Sequence, residues 1–222
     1  HLQAGGKMIV FYGTHPRLAA LMQVRLDRYR QAPAGQPWSG WTFTGQAPPH
    51  TPRHIEQFSA NIFTVTPAHP QARVIALWNS PAGAPESLPA WIQTPAGFWM
   101  THILQDGDGA AKSRMLLALC GTLDGGIWRQ AADAAGRQTR RLAESPRGHG
   151  LNLTASLRDI ERARSQSRFA EAIEIAHEAQ ARDLIRQAQA QSPRSPEFRG
   201  IWDHAGTGLY PGDWPRTAEL VR

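Results

Sequence analysis

The sequence predicts a small α/β (or α+β) domain followed by a helical region, and three observations predict it. Residues 1–104 hold four to five short apolar and β-branched runs separated by Pro- and Gly-rich connections. A strand, a Gly/Asp loop and an apolar helix follow one another across 98–123, FWMTHILQDGDGAAKSRMLLALCGTL. Beyond Leu123 the chain is rich in Ala, Arg, Gln and Glu, with apolar residues at helical spacing. The resulting division is an α/β core with a small mixed sheet over 8–123, an Arg-rich helical region over 124–192, and a Gly/Pro-rich aromatic tail over 193–222.

KMIVFY, residues 7–12, is a compact apolar run between Gly6 and Gly13 and reads as a buried strand. Thr14, His15 and Pro16 then give a helix start, with Pro at its first position. The helix is drawn from Pro16 to about Arg30, burying Leu18, Leu21, Met22, Val24 and Leu26 and leaving Arg17, Arg25, Arg28 and Arg30 to solvent. This β-loop-α opening suggests a Rossmann-like or ferredoxin-like layer. WTFT (41–44), NIFTVT (61–66) and RVIALW (73–78) are further strands, with a helical turn around His54 to Ser59. Trp91 and Ile92 form a short strand, and Phe98 to Leu104 completes the sheet. Gln105 to Ala110 is the loop, and a helix runs from Ala111 to about Leu123.

After an LDGG turn, Ile127 to about Ser145 is helical, and PRGHG (146–150) breaks it. Thr154 or Ser156 caps a long helix through Gln191 that Ser165–Ser167 could divide in two. Phe169, Ala172, Ile173 and Ala176 form its apolar stripe, Gln180 interrupts that face and Leu184 resumes it. In the tail, Phe198, Trp202, Tyr210 and Trp214 argue for packing onto the body of the protein.

Composition removes several classes. No run of about 18 apolar residues is present, so no membrane span is expected. HLQAGGK lacks the apolar core of a secretory signal, and Met8 reads as a native start after an added segment. The lone cysteine, Cys120, rules out an intrachain disulfide and a multi-cysteine zinc site within one chain, and it fits a reducing cytoplasm. His50 and His54 are four apart, but Pro52 lies between them, so no metal site is expected, and nothing calls for a cofactor.

The formal net charge is +6, and 22 of the 24 basic residues are Arg, whose guanidinium forks phosphate bidentately. A GC-rich genome would favour Arg everywhere, yet the excess is local. Residues 129–168 carry nine Arg against Asp133, Glu144, Asp159 and Glu161, a net of +5. Arg137, Arg140, Arg141 and Arg147 lie on one predicted helix and its exit, and Arg158, Arg162, Arg164 and Arg168 on the next. Arg137/Arg141, Arg158/Arg162 and Arg164/Arg168 are i,i+4 pairs, each presenting two guanidinium groups on one face. Two such helices joined by PRGHG would line a phosphate backbone.

Residues 106–113, DGDGAAKS, have the order of a phosphate-cradling loop, with Lys112 and Ser113 at the helix start. Asp106 and Ala111 stand where that pattern needs its glycines, and Asp108 would repel an anion. His15, His149 and His204 are the acid–base candidates for a metal-independent nuclease. Trp41, Phe43, Trp202, Tyr210 and Trp214 could stack on unpaired bases, although tryptophan is more often core.

The sequence therefore points to a cytoplasmic, non-catalytic nucleic-acid-binding protein, RNA or DNA, acting as one subunit of a larger assembly with further protein partners. A metal-independent nuclease or nucleotide-handling enzyme is one alternative. A protein-interaction scaffold built on the Phe169–Leu184 stripe and the tail is the other.

Overall fold

A computed structural model describes residues 1–151 and 153–190. The tail, with Phe198, Trp202, His204, Tyr210 and Trp214, lies outside the described residues. The chain divides into two compact units, His1–Leu123 and the part from Asp124 onward.

The first unit contains strands β1 (Met8–Phe11), β2 (Val24–Gln31), β3 (Trp38–Phe43), β4 (His54–Ser59), β5 (Asn61–Pro67), β6 (Arg73–Asn79), β7 (Pro85–Thr94) and β8 (Gly97–Met100). Helix α1 spans Pro16–Leu21 and α2 spans Gly109–Leu123. The fold is mixed α/β, but its sheet exceeds the four to five strands expected: six strands run in the order β1-β8-β7-β6-β3-β4, and β2 pairs with β5 in a separate ribbon. Only the β1–β8 pair in the six-stranded sheet is parallel. Because β1 lies beside the last strand and not beside the next one in the chain, the Rossmann-like opening is not formed.

Two expected helical segments are strands. The helix drawn to Arg30 ends at Leu21, Gln23 takes a left-handed φ of 59°, and β2 begins at Val24. Val24 and Leu26 suit a helical stripe and a two-residue period equally well. Pairing decides between them, with Val24 opposite Pro67 and Leu26 opposite Val65. His54–Ser59 is the edge strand β4, whose inward side chains are Ile55, Gln57 and Ser59. The strand expected at Trp91 and Ile92 extends back to Pro85, and irregular pairing with β6 accommodates its prolines.

Both faces of the six-stranded sheet are buried over β7 and β8, which explains the near-continuous apolar runs there. On one face Trp41, Trp78, Trp91, Phe98 and Met100 pack with Ala111, Met115 and Leu119 of α2. On the other, Val10, Ile92 and Trp99 meet Ala19 of α1, Met22, and Val24 and Val65 of the ribbon. Successive residues of β8 thus serve opposite cores, as a pleated strand requires. Gly97 stands opposite Met8 at a φ of 136°, where a Cβ would lie 1.9 Å from the Met8 carbonyl oxygen. The β1–β8 approach therefore demands glycine.

The second unit packs three helices against one another: α3 (Gly126–Glu144), α4 (Leu153–Ser165) and α5 (Phe169–Ala190). The long helix is divided as Ser165–Ser167 suggested. Ser167 is left-handed, and the Arg168 N–H donates back to the Ala163 carbonyl at 2.8 Å, a Schellman-type end. Small side chains fill the bundle: Ala132, Ala135, Ala163, Ala172, Ala176 and Ala179 surround Leu153, Ile160 and Ile173. Leu184, which was expected to resume the stripe, is instead 62% exposed. The PRGHG break is a 3-10 turn whose Gly148 lies against the Leu142 carbonyl, where a Cβ would come within 2.2 Å.

Candidate functional site

Helix packing divides the eight candidate arginines into two groups. Arg147 donates to the buried Asp183 at 2.5 Å, and Arg162 pairs with Asp159 at 2.9 Å. Arg164 grips Asp133 on α3 and also Glu161 at 2.7 Å, while Arg168 pairs with Glu171. Arg147 and Arg164 thus link separate elements of the helical unit, whereas Arg162 and Arg168 form i,i+3 pairs at its surface. Arg137, Arg140, Arg141 and Arg158 are exposed and, among the described residues, have neither an ion pair nor a side-chain hydrogen bond.

Their placement follows from helix geometry. Ala132, Ala135, Gly136 and Thr139 form the buried side of α3. At about 100° per residue, Arg137 and Arg141 fall on the opposite side and Arg140 on the flank, and all three are exposed. On α4 the buried positions are Leu153, Ser156, Ile160 and Ala163, and Arg158 lies across the helix from them. Among the described residues, four of the eight arginines therefore have carboxylate partners and four do not. The α3 surface concentrates three free guanidinium groups within about one helical turn.

Comparison with protein families, curated proteins and solved structures gives no match. The chemistry must be read from this chain alone.

The central loop uses its polar groups internally. Lys112 is 4% exposed, and its Nζ donates to the carbonyls of Gln105 at 2.9 Å and Asp106 at 3.4 Å. Burial pushes its pKa down, against the opposing pull of Asp108 and Asp106. Asp108, at a φ of 46°, accepts from the Glu56 N–H of edge strand β4 at 2.9 Å. The only lysine near the phosphate-like motif thus holds the loop closed, while Ser113 is exposed on the first turns of α2.

Of the histidines expected to do acid–base work, His15 belongs to the first unit and His149 to the second. His15 Nδ1 accepts from the Arg17 N–H at 3.2 Å and caps α1. His149 is exposed in the turn of the second unit, and its backbone carbonyl accepts from Arg186. Cys120 is half-buried on α2, and burial raises its thiol pKa, as expected of an unreactive cysteine.

A buried polar cluster went unnoticed in the sequence. His102, 4% exposed, has its Nδ1 3.1 Å from the Ile103 carbonyl and 3.4 Å from Gln57 Nε2. Gln57 also donates to Ser59 Oγ and the Ile103 carbonyl and accepts from the Gln105 N–H. The rings of Tyr12 and Trp78 meet the imidazole edge-on. Burial lowers the His102 pKa, so the neutral ring is favoured. Gln57 and Ser59 alternate with exposed residues on β4; their polarity concealed that period. Among the described residues no group of three His, Cys, Asp or Glu could hold a metal ion, and no helix is long and apolar enough to cross a membrane.

Proposed function

We propose that this protein binds nucleic acid through the solvent face of α3, with Arg137, Arg140 and Arg141 on consecutive phosphates and Arg158 of α4 as an accessory contact. One observation carries the reading: carboxylates neutralise Arg147, Arg162, Arg164 and Arg168, whereas Arg137, Arg140, Arg141 and Arg158 are exposed and, among the described residues, unpaired. Guanidinium groups suit the task because they fork phosphate oxygens and release condensed counterions on binding. The contacts are to the backbone, so little sequence preference is expected. A role as the non-catalytic subunit of a larger assembly, in the cytoplasm, belongs to the same proposal.

The test is a titration of labelled single- and double-stranded RNA and DNA at several salt concentrations. Affinity should fall with a log–log salt slope of roughly −3 for three phosphate contacts on a duplex. The R137A/R140A/R141A variant should lose at least about tenfold in affinity and most of that slope. Binding that ignores salt, or no binding to any oligonucleotide at low salt, would end the proposal.

A further inference from the structure

The second half of β2 lines a cavity of about 530 Å³ in the first unit. That volume falls within the roughly 300–1,000 Å³ of small-molecule sites. Arg28, Tyr29, Arg30, Trp38, Glu86 and Leu88 are among its lining residues. The sequence reading had placed these arginines on a solvated helix; folding as a strand brings them to a concave surface.

The polar groups of this cavity do not neutralise one another. Among the described residues Arg28 and Arg30 have no ion pair and no side-chain hydrogen bond, and the Nε of Arg30 is buried without a partner. What sets this donor apart from the other buried polar atoms without a partner is its place at a concave surface lined by a second cation, Arg28. The nearby acid Asp27 is engaged elsewhere, accepting from Thr64 Oγ1 at 2.8 Å. Glu86 accepts from the Trp38 indole N–H at 3.1 Å through Oε2, which fixes the carboxylate and leaves Oε1 available. Trp38 is itself held by packing against Trp78, with ring centroids 6.4 Å apart. Tyr29 is 52% exposed, which leaves ring surface open at the cavity.

We infer that this cavity binds a nucleoside monophosphate. The phosphate dianion takes the two guanidinium forks, which match its geometry and charge. The base lies against the Tyr29 ring, and donors on its edge reach Glu86 Oε1. A ligand with an anionic end, a flat ring and a donor edge satisfies all three features; inorganic phosphate satisfies one. The site lies wholly within the first unit and does not rest on the α3 reading.

Isothermal titration of the full chain with GMP, AMP, CMP, UMP, guanosine, inorganic phosphate and phenylalanine tests the assignment. At least one mononucleotide should bind about tenfold more tightly than guanosine or inorganic phosphate. Arg28→Ala should weaken it by about tenfold or more, and Tyr29→Ala by about tenfold through lost stacking. Glu86→Gln should change the ranking among bases. Arg30→Lys keeps the charge and the strand but loses the fork, so it too should weaken binding, with an unchanged melting curve as its folding control. The inference is overturned if phosphate or phenylalanine binds as tightly as every mononucleotide, or if Arg28→Ala and Arg30→Lys bind like the unaltered chain. It is also overturned if R137A/R140A/R141A abolishes mononucleotide binding while Arg28→Ala does not.

Discussion

The two units solve the problem of burial in opposite ways. The first encloses Trp41, Trp78, Trp91, Trp99 and Phe98 completely, on two faces of one sheet. The second is filled mainly by alanines, and its helices are cross-linked by Arg147–Asp183 and Arg164–Asp133. A large buried aromatic contributes about 5 kcal/mol as an upper bound, and an alanine far less. A thin core leaves ion pairs and helix caps a larger share of the stability. Part of the arginine excess of this unit holds the bundle together, through Arg147 and Arg164.

Substitutions can break this contrast, beginning with the largest effect. Gly97→Ala sets a methyl group against the Met8 carbonyl and should cost about 4 kcal/mol or more. Urea unfolding followed by tryptophan fluorescence would register it, and an unchanged midpoint would refute the β1–β8 register.

The clamp at Asp183 should respond asymmetrically. Its side chain is 4% exposed, against 60% for Arg147. Arg147→Ala leaves a buried carboxylate with only Gln187 as a side-chain donor and should cost about 2 kcal/mol. Asp183→Asn strands only an exposed cation and should cost about 1 kcal/mol. Helix melting by circular dichroism measures both; equal costs would mean that burial does not govern the pair.

His102 supplies a pH test of the first unit. Its folded pKa lies below the ordinary 6.5, so the unfolded chain takes up a proton that the enclosed ring resists. Its contribution to stability is whole above 6.5 and declines as pH falls from there toward the folded pKa. His102→Gln should flatten this part of the stability–pH curve in urea titrations, and an unaltered slope would count against an enclosed neutral imidazole. The smallest effect belongs to Arg168→Ala, an exposed pair with Glu171, which should stay within about 0.5 kcal/mol.

What could be read in advance followed periodicity. Asn61–Pro67 and Arg73–Asn79 were legible because apolar and β-branched residues dominate them. The α3 helix was legible over Ile127 to about Ser145, but which of its arginines remain without a carboxylate partner was not. β2 was not, because Val24 and Leu26 fit two periods and only pairing with β5 separates them. β4 was hidden by buried Gln57 and Ser59, whose acceptability depends on partners more than 40 positions away. For the same reason no local reading could assign Arg164 to Asp133, since packing of α4 against α3 brings them together. The Arg28–Arg30 cavity was lost along with β2.

The inward-turned Lys112 has a consequence for measurement. The chain contains two lysines, and Lys7 is exposed, donating only to the Pro95 carbonyl. An amine-directed acylating reagent should therefore modify Lys7 rapidly and Lys112 only when the loop after β8 opens. Opening exposes the Lys112 amine to the reagent, so the rate of its labelling reports the frequency of opening. With Lys7 as the internal clock, mass spectrometry of the two tryptic sites would measure how tightly the molecule closes its central turn.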